Sequence, residues 1–267
     1  MKNFIVIFLI LFAVDGWCQC MPETKSFQVG EDLQYDVYYN WGIIWLHAGE
    51  VFFKVQEGNY KNSSAYHFYS VGSSFESYDW IYKVRDTFQT YVNKQNFNPL
   101  YFSRNTYEGG YVVDNEYKFN YETEQIKSST FNSKSEKKND ILKIQPCTFD
   151  VLSIIYYSRT LSYEKYKPNQ KIPITVIIDG KIYELYIRYL GKERIKSKDG
   201  KKYDCIKFSP LLVEGTIFSG GEDMTVWVTD DQNRVPILVE AKILVGSIKT
   251  YLREAKRIIN PPLIGKN

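Results

Sequence analysis

The stretch Ile174-Thr175-Val176-Ile177-Ile178-Asp179-Gly180-Lys181-Ile182-Tyr183-Glu184-Leu185-Tyr186-Ile187-Arg188-Tyr189 decides the fold class. β-Branched and aromatic residues fill both arms, as a half-buried pleated surface requires. In the second arm Tyr183, Leu185, Ile187 and Tyr189 alternate with Glu184, Tyr186 and Arg188. That period of two puts one set on a packed face and the other on a wetter one. Asp179-Gly180 joins the arms, and both residues tolerate positive φ, so the stretch predicts a tight hairpin.

The pattern recurs along the chain. Leu33, Tyr35, Val37 and Tyr39 alternate with Asp32, Gln34, Asp36 and Tyr38. Turn-formers punctuate the runs at Glu57-Gly58-Asn59, Asn98-Pro99, Gly109-Gly110, Asp199-Gly200, Gly220-Gly221 and Asp230-Asp231-Gln232-Asn233. The spacing predicts an all-β protein, an antiparallel barrel or half-barrel of roughly a dozen strands in meander order. Two segments depart from it. Phe149, Leu152, Ile155, Tyr156 and Arg159 follow helical spacing, with Thr148 or Asp150 as cap and Lys167-Pro168 beyond, which predicts one helix near 148–160. Ser133–Asp140 is polar and charged, and is expected to be a loop near 133–140 between two blocks of strands. Without a Pro/Ser/Gly linker, 19–267 is expected to be a single β domain.

Lys2 followed by the apolar run Phe4–Val14, ended by Asp15-Gly16, has the form of a secretory signal peptide over 1–18. The run is too short to span a bilayer. The expected product begins at Gln19, is exported, and resides in the periplasm or envelope of a bacterium. Neither Cys18 nor Cys20 is preceded by the residues that lipidation prefers. Cleavage leaves Cys20, Cys147 and Cys205, too few for a disulfide framework. Cys147 and Cys205 read as small buried apolar residues, with a Cys147–Cys205 bridge as the competing reading.

The 34 basic and 31 acidic residues are interspersed and leave a net charge of +3, which argues against a nucleic-acid partner. Aromatics make up 16%, including 23 tyrosines, and a concave face lined by such rings suits apolar or amphipathic ligands. No CxxC, HExxH, P-loop, GxGxxG or GxSxG is present, so no catalytic residue, metal ligand or cofactor is assigned. His47 and His67 lie in strand patterns and read as structural. A carboxylate-dependent hydrolase would draw on Glu50, Asp86, Glu222, Asp223 or Asp230, and no spacing singles out two of them. The Asp230–Asn233 run reads as a hairpin turn, not a calcium loop.

Three features suggest a binding surface instead. Trp41-Gly42-Ile43-Ile44-Trp45 is an apolar strand connection, expected to border the mouth of a cavity. Arg85-Asp86 sits within an alternating strand; an inward Asp86 would need a partner, for which Arg104 and Arg159 are candidates. Trp227 opens a strand–turn–strand unit that runs to Pro236 and beyond. The candidate ligand-binding residues are therefore Trp41, Trp45, Arg85, Asp86 and Trp227.

Gly30–Gly42, Ala48-Gly49-Glu50, Val84–Phe88, Phe149–Arg159, Trp227–Pro236 and Val245–Ile248 together resemble an exported bacterial family designated a domain of unknown function (3108). The resemblance runs from about Phe27 to Leu252. It implies a bacterial envelope protein and brings no activity with it. Hairpin Trp227–Glu240 is also similar to the late hairpin of lipoprotein carriers, whose open half-barrel holds acyl chains; this is analogy at the level of fold. The resulting expectation is a non-enzymatic binder of an apolar or amphipathic ligand such as a lipid, or of a segment of an envelope protein partner. A structural or assembly scaffold and a carboxylate-dependent hydrolase are the competing readings.

Overall fold

The computed structural model describes residues 20–41, 44–214, 220–243 and 246–260. The signal-like segment and Gly42-Ile43 lie outside them, and so does the side chain of Trp41. The elements are β1 (Asp32–Trp41), β2 (Ile44–Tyr60), β3 (Ser63–Ser74), α1 (Asp79–Tyr82), β4 (Val84–Asn93), β5 (Pro99–Glu108), β6 (Tyr111–Asn120), β7 (Gln125–Asn132) and β8 (Ser135–Lys143). They continue with β9 (Thr148–Phe149), α2 (Ser153–Arg159), β10 (Lys171–Ile178), β11 (Lys181–Lys196), β12 (Lys202–Pro210), β13 (Met224–Thr229), β14 (Pro236–Lys242) and β15 (Ser247–Lys256).

All fifteen strands form one open sheet in the order β8-β7-β6-β5-β4-β3-β2-β1-β15-β14-β13-β12-β11-β10-β9. The first and last strands meet in its middle, β1 pairing with both β15 and β2. The two halves are meanders running outward to opposite edges. Every pairing is antiparallel except β9 with β10. The Asp179-Gly180 hairpin is present as expected, with Ile178 opposite Lys181 and φ of 48° and 74° at the two turn residues.

The sheet curls until its halves touch. The backbone N–H of Gly180 donates to Tyr117 Oη at 3.1 Å, and Asn115 Nδ2 donates to Asp179 Oδ1 at 2.8 Å. The β10–β11 turn therefore rests on the inner face of β6, and the barrel closes through side chains instead of a ladder.

One end of the interior is filled. Tyr156 of α2 stacks on Phe68 at 3.8 Å, Phe27 packs edge-on to both, and Phe149 stacks on Tyr157. Asp150 holds this plug in place. Its Oδ1 accepts the backbone N–H groups of Leu152 and Ser153, and its Oδ2 accepts the hydroxyls of Ser153 and Thr90 on β4. Of the two residues offered as cap, Thr148 and Asp150, it is Asp150 that accepts the backbone N–H groups leading into the helix. Burial raises its pKa, and these four donors oppose that rise.

Two expectations are corrected. The segment 133–140 is not a loop: after a short turn it forms β8, an edge strand. It runs past the core and has no face to bury, so it shows no alternation; its lysines and acids protect an exposed edge from pairing with other chains. Cys147 is bonded to Cys20, not Cys205, with Cα atoms 5.4 Å apart. Cys205 is a buried free thiol among Trp227, Ile237 and Leu238, and burial pushes its pKa up to about 12.

Candidate functional site

Sheet periodicity places the inner face. Thr90 points at the plug, so Phe88 and Asp86, two and four residues earlier on β4, also point inward. The cross-strand partners follow: Asp86 lies opposite Gly72 on β3 and Thr106 on β5, and Phe88 lies opposite Ser70 and Arg104. Asn115 lies opposite Arg104 on β6. Beyond the aromatic plug, the inner face of β4–β6 therefore mixes polar Asp86, Arg104, Thr106 and Asn115 with apolar Phe88 and Val113.

Several buried polar atoms on this face are left without a protein partner. Asp86 Oδ1, Arg104 Nε, Thr106 Oγ1, Glu108 Oε2 and Ser128 Oγ are all buried and have no hydrogen-bond partner. Thr106 is 1% exposed. Arg104 Nη1 donates to Asp179 Oδ1 at 3.3 Å, and its guanidinium lies over the Phe88 ring. Asp86 and Glu108 lie within hydrogen-bonding reach of each other. Two ionised carboxylates offer acceptors only, which is why neither facing oxygen finds a donor; one shared proton relieves both. Desolvation, then the Glu108 charge, pushes the Asp86 pKa up to about 7, against the pull of Arg104 and the Tyr107 backbone N–H. Desolvation raises that of Glu108 as well.

This corner lies under one rim of the barrel. The β1–β2 connection, the β3–β4 connection carrying α1, the β5–β6 turn and the β14–β15 turn all close the same end and follow one another along the sheet. Trp80 on α1 is 83% exposed, beside exposed Ile81 and Tyr82. Tyr82 lies over the β5–β6 turn so closely that a Cβ on Gly109 would clash with its ring; Gly109 also has φ +58°. Desolvation raises the Tyr82 pKa, followed by the charges of Glu108 and Asp86, so its phenol senses the carboxyl pair.

Of the five candidate residues, only Asp86 is described in this corner. Arg85 faces outward and binds Asp79 through two nitrogens at 3.1 and 2.6 Å, with Ser74 alongside. Consecutive strand residues point to opposite faces, so Arg85 and Asp86 do not act as a unit. Arg159 is taken by Glu31, which leaves Arg104 near Asp86. Trp45 is at the rim but on the convex side, 39% exposed, with Lys249 Nζ 5.1 Å above its ring. Trp227 is buried in the convex cluster with Leu238 and Tyr251, and its indole N–H donates to Glu193 at 3.0 Å. Trp41 contributes its backbone to β1, and its side chain lies outside the described residues.

The other carboxylates are engaged elsewhere. Glu50 pairs with Arg253, Glu222 with Arg188, Asp223 with Lys242 and Asp230 with Lys192. Asp231 Oδ1 accepts from the Thr229 hydroxyl and the Asn233 and Arg234 backbones, as a hairpin turn would have it. His67 lies between Gln56 and Gln89, stacked on Tyr91. His47 stacks on Tyr38. Among the described residues no group of three or more His, Cys, Asp and Glu side chains is arranged to hold a metal ion.

Glu108 and Thr106 escaped the sequence reading because the pairing register, not sequence distance, brings them to Asp86. Alternation within Tyr101–Glu108 could have placed Arg104, Thr106 and Glu108 on one face. Nothing local says which face is inner.

An open, curled, antiparallel sheet with a helical plug defines a β-barrel-like protein. A solved structure shares this fold: a beta-barrel-like protein of domain of unknown function DUF1849 from Brucella abortus, with a TM-score of 0.55 at 10% identity, covering 88% of this chain and 100% of that one. The chain itself belongs to the family described as "Protein of unknown function (DUF3108)", whose model matches residues 34–253. No curated protein matches it.

Proposed function

We propose that the protein is a non-enzymatic, exported envelope protein that binds an amphipathic ligand at the rim end of its barrel. The observation that carries this reading is the group of unpartnered buried polar atoms on Asp86, Thr106, Glu108 and Arg104 at the end of the sheet that carries exposed Trp80, Ile81 and Tyr82. Unsatisfied buried polar groups are costly, so a site that keeps several suits a ligand's polar head. Exposed aromatics and an aliphatic at the entrance suit an apolar tail.

The signal-like segment supports export, and the Cys20–Cys147 disulfide supports an oxidising compartment. A sulfur committed to that bridge is not available for a thioether lipid, which favours an unlipidated Cys20. The direct approach of Asp86 to Glu108 favours binding over glycoside hydrolysis, where the two carboxyls stand about 5 Å or more apart.

The test is native mass spectrometry of protein purified from its own envelope, together with fluorescence titration of single-chain amphiphiles. A co-purifying lipid, and affinity that rises with chain length and falls in Tyr82→Ala, are expected. A protein that carries nothing and binds no amphiphile would overturn the reading.

A further inference from the structure

We propose that the corner formed by Asp86, Thr106 and Glu108 recognises a primary ammonium group, so that the amphipathic ligand carries an amine head; this rests on the reading above and specifies its ligand class. Three facts about the corner lead there.

First, the unpartnered atoms on these three side chains are all acceptors or able to accept: Asp86 Oδ1, Glu108 Oε2 and Thr106 Oγ1. A primary ammonium offers three donors and no acceptor, so the numbers match. Second, the three belong to one corner. Asp86 and Thr106 are direct cross-strand partners, and Glu108 is two residues along β5 on the same face. Thr106 is 1% exposed, so its hydroxyl is shut off from bulk solvent. Third, the charge is only partly compensated. Arg104 bears on Asp86 and Glu108 and also donates to Asp179, so one guanidinium serves three carboxyl groups.

A cation placed between two carboxylates replaces the shared proton and lets both ionise. Charge-assisted hydrogen bonds then reach acceptors that no protein donor serves. Access is through Glu108, the last residue of β5, next to Gly109-Gly110 and the edge of Tyr82. Its side chain can swing toward the rim as the head group enters.

The test compares lysophosphatidylethanolamine, lysophosphatidylcholine and lysophosphatidylglycerol of one acyl chain, below micelle concentrations at pH 8, titrated by tryptophan fluorescence and calorimetry. The ethanolamine head has a primary ammonium; the choline head has the same charge without N–H donors. Preference for ethanolamine over choline by about tenfold or more is expected in the wild type, since several charge-assisted bonds depend on those donors. Asp86→Asn and Glu108→Gln, each checked for wild-type circular dichroism, should abolish the preference while leaving chain-dependent affinity in place. Thr106→Val should reduce it in part. Equal affinity for ethanolamine and choline heads, or a preference that survives both carboxyl variants, would overturn the ammonium site and leave amphiphile binding standing. Failure of all three lipids to bind would overturn both.

Discussion

Glu31 and Arg159, 128 residues apart in the chain, form a two-pronged ion pair from which solvent is excluded, with Nη1–Oε1 at 2.6 Å and Nη2–Oε2 at 2.9 Å. Arg159 Nη2 also donates to the carbonyls of Ser26 and Asn233. One guanidinium therefore joins the plug helix α2 to the segment before β1 and to the β13–β14 turn. Glu31→Gln should cost about 3–5 kcal/mol, because it leaves a buried cation without its counter-charge. The double variant Glu31→Leu/Arg159→Met should recover most of that loss, since it strands no charge. Urea midpoints read both, and a wild-type midpoint for Glu31→Gln would contradict the pairing.

The Cys20–Cys147 bridge closes a separation of 127 residues, across which an unfolded chain has much entropy to lose. Cys20→Ser/Cys147→Ser should lose about 3–5 kcal/mol on the chain-entropy view. A thiol titration of unreduced, denatured protein spanning 19–267 should find a single reactive thiol, that of Cys205. Three reactive thiols would contradict the bridge.

The two described candidate tryptophans should behave oppositely. Trp227 is 7% exposed and packed in the convex cluster, so Trp227→Ala should cost roughly 3–5 kcal/mol. Trp45 has solvent on one side and Lys249 on the other, so Trp45→Ala should cost no more than about 1 kcal/mol. Thermal melts of the pair decide it. A large loss at Trp45 would make the β1–β2 connection a lid on the core.

The fold was legible where one local rule governs. The Asp179-Gly180 hairpin, the alternating strands and the Asp150-capped helix each follow from turn chemistry or periodicity within a few residues. The exposed edge β8 was not, because an edge with two wet faces has the composition of a loop. Nor was the site. Asp86 could be named, but its neighbours Thr106 and Glu108 arrive through the β4–β5 register, and Asp179 through the curl of the whole sheet. Tryptophan-rich runs pointed elsewhere because a large ring on a strand reports burial, not which face is buried: Trp227 turned out to pack on the convex side.

The carboxyl pair should leave a mark on stability against pH. The groups bearing on Asp86 are Glu108 and Arg104 on β5, with Tyr82 of α1 and Asp179 of the β10–β11 turn beside them. Its pKa rises from 3.8 to about 7 on folding, so between those values the folded protein binds more protons than the unfolded one. Stability from this site is therefore fully present below about pH 4 and is lost as pH climbs through 7. Carboxylates with lowered pKa, such as Glu222 beside Arg188 and Glu193 beside Lys207, give the opposite slope at acid pH, so the wild-type curve alone is a mixture. The difference between wild type and Asp86→Asn isolates the site. Asparagine carries no proton to lose, so the variant should be relatively more stable at pH 8 than at pH 4, by on the order of 2–4 kcal/mol. Urea midpoints of both proteins at half-unit steps from pH 4 to pH 8 measure it. A wild-type-minus-variant difference that stays flat across the range would mean that Asp86 is ionised throughout, and the shared proton would be lost with it.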